Sequence, residues 1–316
     1  MKSQQLTLLI LVATAIGAFL FADKTLLKQN DVDGSWFGIC VHALTMDDAR
    51  LVNETGASWI RIDVSENFEN AVQNARAYNL KVLGILDSWM FNKNTVFTLD
   101  DWQNNVTHYV SRYADYVDAW EIWNEPATPA YPLLNLNVKE NLTEIVVCYL
   151  KMVQIASPII RQYDPTAKIV LLGGLNLWSG GDENLLLDKE FSRQLSALNV
   201  GKYGDVISVH AYPWGSNIGS WLWEKYDESL AYYRGLFPTH EFWLTETGCP
   251  LEEAGEEGQV QYMCSATKHF SGKVERLFWY SLLDNIDDQG KSFGLLSKEA
   301  PRTAYYTLQK LAGTEK

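Results

Sequence analysis

The sequence predicts an α/β chain folded as a single (β/α)8 barrel. Three observations carry this. Short apolar runs alternate strictly with longer amphipathic runs, there are eight such units in one pass, and the strand-like runs are apolar nearly throughout. Continuous apolar strands belong to sheets covered on both faces, and strand–helix alternation requires parallel pairing through right-handed crossovers. Eight units of similar length fit a closed ring better than an open doubly wound sheet, and 316 residues exceed the roughly 250 that such a barrel needs.

Taken in order, the predicted strands are 36–41, 58–64, 81–87, 117–123, 168–172, 206–210, 241–245 and 274–281. The predicted helices between and after them are 46–53, 68–78, 99–113, 143–163, 183–198, 224–237, 258–271 and 303–312. Asp164-Pro165 ends the fourth helix, because the residue before proline is pushed out of the helical region. Gly173-Gly174 reads as a plain strand-end turn. Residues 1–24 are expected to be a signal peptide or an N-terminal membrane anchor: Lys2 precedes an uncharged, mostly apolar run from Leu6 to Ala22. Residues 25–33 read as a linker, and 34–316 as the barrel domain of a secreted protein. Membrane contact is expected only if the N-terminal segment stays uncleaved.

Composition narrows the function. With 39 acidic and 26 basic residues the formal charge is −13, which leaves nothing to neutralise a run of phosphates and argues against nucleic acid. Twelve tryptophans suit either a large core or indole faces stacked on sugar rings. Three acceptor sequons begin at Asn53, Asn105 and Asn141. Cys249 and Cys264 flank a short acidic loop and can be read either as a bridge or as separate thiols. The five histidines form no His-x-His or His-Glu-x-x-His pair, and no Gly-x-Ser-x-Gly elbow or Gly-x-x-x-x-Gly-Lys-Ser/Thr loop occurs. No metal and no cofactor are expected.

In such a barrel the functional groups lie at the carboxyl ends of the strands. The fourth strand ends in Trp123-Asn124-Glu125-Pro126 and the seventh in Thr245-Glu246-Thr247-Gly248. A carboxyl at the end of a buried strand is partly desolvated, which lets it hold a proton near neutral pH. The two glutamates are about 120 residues apart, and the fold must bring them face to face. Around them the strand ends offer His42, Arg61, Asp63, Asp87, Asn124, Asn176, Trp178, His210, Tyr212, Trp214, Trp279 and Asp284. Arg61 reads as a cation that keeps Glu246 ionised, or as the partner of a structural acid. His210 and Tyr212 share one strand face. Trp279 is expected to floor a sugar site, while Trp178, Trp214, Trp221 and Trp223 fit cleft or core equally.

Asn-Glu-Pro after strand four with Glu246 after strand seven resembles the clan A glycoside hydrolases, over the whole chain beyond residue 34. Arg61, His210, Tyr212 and Trp279 line up with that clan's accessory positions; the loops match no single family, with families 5 and 39 the nearest in pattern. The resemblance implies a retaining glycosidase. Glu125 would be the acid/base and Glu246 the nucleophile, with Asn124 holding the hydroxyl next to the anomeric carbon and Tyr212 bonding the nucleophile. The substrate implied is a β-linked glycan, with endo-β-glucanase or β-mannanase action first and an exo-acting β-glycosidase close behind. A carbohydrate-binding barrel without catalysis, and an inverting or transglycosylating enzyme on the same scaffold, stay open.

Overall fold

The computed structural model describes residues 34–313, apart from 94–95, 129–135, 179–181, 214–218, 286–289 and 299. By its own contacts the chain divides into Met1–Val32 and Asp33–Lys316, and the barrel lies in the second unit. Its strands are β1 (Phe37–Val41), β2 (Trp59–Asp63), β3 (Lys81–Leu86), β4 (Ala119–Ile122), β5 (Lys168–Asn176), β6 (Val206–Ala211), β7 (Glu241–Thr247) and β8 (Arg276–Trp279). Each pairs parallel with the next, and β8 pairs parallel with β1, so the ring is closed. The helices are α1 (Met46–Thr55), α2 (Phe68–Ala77), α3 (Leu99–Tyr113), α4 (Val138–Tyr163), α5 (Asp182–Ala197), α6 (Ser220–Leu236), α7 (Leu251–Phe270) and α8 (Thr303–Leu311).

Local chemistry sets these elements. Thr45 caps α1 by accepting from Asp48 N while the Asp48 carboxylate accepts from Thr45 N, and Thr98 with Asp101 repeats the device at α3. Inside the ring, one side chain from each strand forms a packed layer: Cys40, Trp59, Leu83, Ala119, Val170, Val206, Trp243 and Phe278. The rings of Trp59, Trp243 and Phe278 pack against one another in it, so the interior is a filled core and not a pore. Trp36, Trp59, Trp102, Trp120, Trp123, Trp243 and Trp279 are all buried, so much of the tryptophan content is core. Helix α4 is apolar enough in composition to cross a membrane, but Ile145, Val146, Tyr149, Met152 and Val153 are buried in the protein.

Of the boundaries that differ from the sequence reading, three have a visible local cause. Helix α4 starts five residues earlier than predicted, at Val138, because the Asn137 side chain accepts from Lys139 N and caps it. Helix α7 starts at Leu251, and the chain bends at Gly255, whose φ of 68° few other residues accept. The third difference is in β5. Gly173-Gly174 is not a strand-end turn: the strand runs on to Asn176 through an irregularity between Leu171 and Leu175. None of the four cysteines is in a disulfide; burial pushes the Cys249 thiol up to about 12.

Candidate active site

The fourth strand delivers Glu125 through an unusual backbone. Trp123 and Glu125 have φ of 65° and 45°, a region that costs a non-glycine residue about 1–3 kcal/mol. Neighbouring contacts hold the conformation. Trp123 N donates to Leu86 O at 2.9 Å, and Glu125 N donates to Gly173 O at 2.6 Å. The Tyr149 hydroxyl donates to Ile122 O at 3.1 Å and accepts from Leu172 N at 2.5 Å, tying the end of β4 to the irregular part of β5. There Leu172, Gly173 and Gly174 all have positive φ, at 72°, 54° and 91°. A Cβ on Gly174 would lie 2.2 Å from the His210 ring, so the missing side chain is what lets the imidazole stand beside Glu125.

The seventh strand delivers Glu246 opposite His210, just past a register shift in the β6–β7 pairing. Arg61 is the hub between them. Its Nη1 donates to Glu246 Oε1 at 2.5 Å, its Nε to Glu121 Oε2 at 2.6 Å and its Nη2 to Asn124 Oδ1 at 2.8 Å. The Tyr212 hydroxyl donates to Glu246 Oε2 at 2.6 Å. His210 Nδ1 is 2.9 Å from Glu125 Oε1 and 3.6 Å from Glu246 Oε2. One nitrogen of His210 and one oxygen from each glutamate all lie within 4.8 Å of one another. That donor set could span a divalent cation, but Arg61 already supplies positive charge at Glu246.

The electrostatics separate the two glutamates. Burial pushes the Glu246 carboxyl up, but His210, Arg61 and the Tyr212 hydroxyl outweigh it and hold the group below the usual carboxylate range. Burial pushes His210 down, but Glu246 and Glu125 outweigh it and raise the imidazole. Glu246 therefore rests as a carboxylate, while Glu125 faces an imidazole that readily carries a proton.

Arg61, Asn124, Glu125, His210, Tyr212 and Glu246 come together as expected. Arg61 serves both of the roles open to it, since it holds Glu246 and pairs with a structural acid. Trp178 stands at the end of β5, half-buried, edge to face with Trp221 at 4.7 Å. Trp279 needs correction. It is 1% exposed and sits against Tyr262 of α7, so it packs between the barrel and that helix and offers no open floor to a sugar ring. Trp223 stacks on the Tyr262 ring as well. Asp284 is a loop brace, taking two bonds from Arg302 at 2.8 and 2.5 Å. Trp214 lies outside the described residues.

Two residues were missed. Glu121 is fully buried beneath Arg61, and its signal was a lone acid in an apolar strand facing a lone arginine in another. Asp188, buried on α5, accepts from Asn176 N at 3.1 Å, and burial with the nearby Glu125 pushes it up to about 8. Its signal was a polar residue on the stripe of Leu185, Phe191 and Leu195.

A closed parallel barrel with glutamates at the ends of strands four and seven has the fold of the clan A glycoside hydrolases. No family model matches the sequence, and no curated protein matches it. Among solved structures it is similar to a family 39 glycoside hydrolase from the gut symbiont Bacteroides cellulosilyticus, with TM-score 0.62 and 19% identity over 88% of this chain. This chain covers 63% of that protein's length. It is also similar to a psychrophilic family 10 endo-β-1,4-xylanase (TM-score 0.61, 16% identity, 90% of this chain and 98% of the other). A family 1 β-glucosidase from Thermotoga maritima matches with TM-score 0.68 and 12% identity, over 90% of this chain and all of the other.

Proposed function

We propose that this chain is a retaining glycoside hydrolase acting on β-linked glycans. One observation carries the reading: Glu125 and Glu246, from distant strands, present carboxylate oxygens within 4.8 Å of each other. Retention uses carboxyls about 5–5.5 Å apart, whereas inversion leaves about 6.5–9.5 Å for a water. Glu246, ionised and held by Arg61 and Tyr212, attacks the anomeric carbon, and Glu125 protonates the leaving oxygen. A glycosyl ester then forms on Glu246. Glu125, now a carboxylate beside His210, takes a proton from water, which attacks the same carbon and frees Glu246. Arg61 fixes the Asn124 carbonyl, so the Asn124 amide N–H groups are left for a substrate hydroxyl.

The half-exposed Trp178 and Trp221 supply an aromatic wall for an extended glycan, which supports endo action of the glucanase or mannanase kind. The β-glucosidase among the similar structures keeps exo action as the second reading. The segment 1–24 supports export, with cleavage or anchoring as its two outcomes. Glu246→Ala is expected to abolish turnover and retain glycan binding, with added azide restoring product as the glycosyl azide. Full activity in that variant would remove Glu246 from the chemistry, and binding of glycans with no cleavage by the wild type would leave a carbohydrate-binding barrel.

A further inference from the structure

We propose that the sugar unit attacked at this site is uncharged, and that Asp63, in the dry surroundings it shares with Asp87, makes the pocket reject carboxylated sugars; this rests on the glycosidase reading above. Alternation along β2 puts Trp59, Arg61 and Asp63 on one strand face, and Trp59 belongs to the interior layer. Asp63 therefore stands at the barrel mouth, one step above Arg61. The same alternation places Leu83 in that layer and Asp87 above it, just past the end of β3. Two carboxyl groups thus border the pocket that holds Glu246 and Glu125.

A carboxylated sugar would need a cation to meet it, and the two basic groups beside the glutamates, Arg61 and His210, are committed. Arg61 is 3% exposed and bonds Glu121, Glu246 and Asn124 through its three nitrogens. His210 turns Nδ1 to Glu125, and its ring lies against Gly174. In the loops at this end, Lys93 lies over the Trp89 ring at 4.1 Å, Lys291 pairs with Glu253 at 2.6 Å and Arg302 with Asp284 at 2.5 Å. The segments outside the described residues after β3, β4, β5, β6 and β8 contain no lysine or arginine in their sequence.

Asp87 reports what an added negative charge would meet. Burial pushes its carboxyl well up, and the neighbouring Asp63 pushes it further. By contrast, the rim is suited to hydroxyls. His42 Nε2 is 3.1 Å from the Tyr280 hydroxyl and 3.1 Å from Asn285 Nδ2, and His42 Nδ1 is 3.7 Å from Asp63.

The test uses the full chain and matched aryl β-glycosides: glucoside with glucuronide, and galactoside with galacturonide. Each neutral member is expected to exceed its carboxylated partner in kcat/KM by about 100-fold or more, as like charges brought together in a desolvated site require. Asp63→Asn is expected to narrow that ratio by about tenfold, because one of the opposing charges is gone. A carboxylated member that matches its neutral partner, or a ratio unmoved by both Asp63→Asn and Asp87→Asn, overturns the inference. Binding of the corresponding methyl glycosides to the wild-type chain, measured by calorimetry, separates this from the parent reading. Failure to cleave any glycoside defeats the glycosidase assignment, whereas equal binding of neutral and carboxylated partners defeats the charge selection.

Discussion

Arg61 bonds three other site residues at once, so its loss has consequences for folding and for chemistry that can be told apart. Arg61→Met leaves the buried Glu121 with no cation and takes one from Glu246, an arrangement that costs about 3–5 kcal/mol. A lowered denaturation midpoint is the expected readout. In Arg61→Met/Glu121→Leu the deeper charge is gone as well, and most of the stability should return, while activity stays low because Glu246 has lost its bond from Arg61 and Asn124 has lost its anchor. Recovery of activity along with stability would mean that Arg61 acts only as packing.

His210 gives a second prediction at this scale, with its sign set by the charges. The imidazole is among the groups that hold Glu246 low, so His210→Asn should move the acid limb of the activity profile to higher pH. The stability linked to Glu246 has a defined window. Its folded pKa is depressed, so its contribution is present above the ordinary glutamate range and is lost as pH falls through the folded value. For His210 the folded value is raised: the contribution is present below the ordinary histidine range and is lost as pH rises through it. An acid limb unchanged in His210→Asn would show that Arg61 and Tyr212 suffice.

Among the elements that sequence reasoning misjudged, β5 is the one on which the site geometry depends. Paired glycines after an apolar run read as a turn because turns are where glycine is most often needed. Here the positive φ angles bend a strand that then resumes, and the bend serves two neighbours: Gly173 O receives Glu125 N, and Gly174 makes room for His210. Gly174→Ala combines strain at φ 91° with a clash against the ring, a loss of about 1–3 kcal/mol and a displaced imidazole. Its kcat should fall by more than the stability loss alone explains. The double variant with His210→Ala should regain stability and not activity, and a strictly additive cycle would show that the two positions do not touch.

The whole barrel supplies what no segment of it contains. Ring closure places strands four and seven so that their terminal glutamates share one pocket, and the resulting carboxyl spacing makes a stereochemical prediction. The first-formed product of a β-glycoside, followed by NMR, should be the β anomer. Initial release of the α anomer would mean that water attacks directly and that the mechanism is inversion.

The eight strand–helix units, the two strand-end glutamates and the companions Arg61, Asn124, His210 and Tyr212 were legible because each has a local cause: apolar periodicity, a chain breaker after a buried strand, or a charge on a face that must be interior. The bend in β5, the burial of Trp279, the acid beneath Arg61 and the buried Asp188 on α5 were decided only by the tertiary structure. Each of these depends on which side chain from a distant strand or helix arrives at the same point, and a pattern read along one segment does not contain that distance.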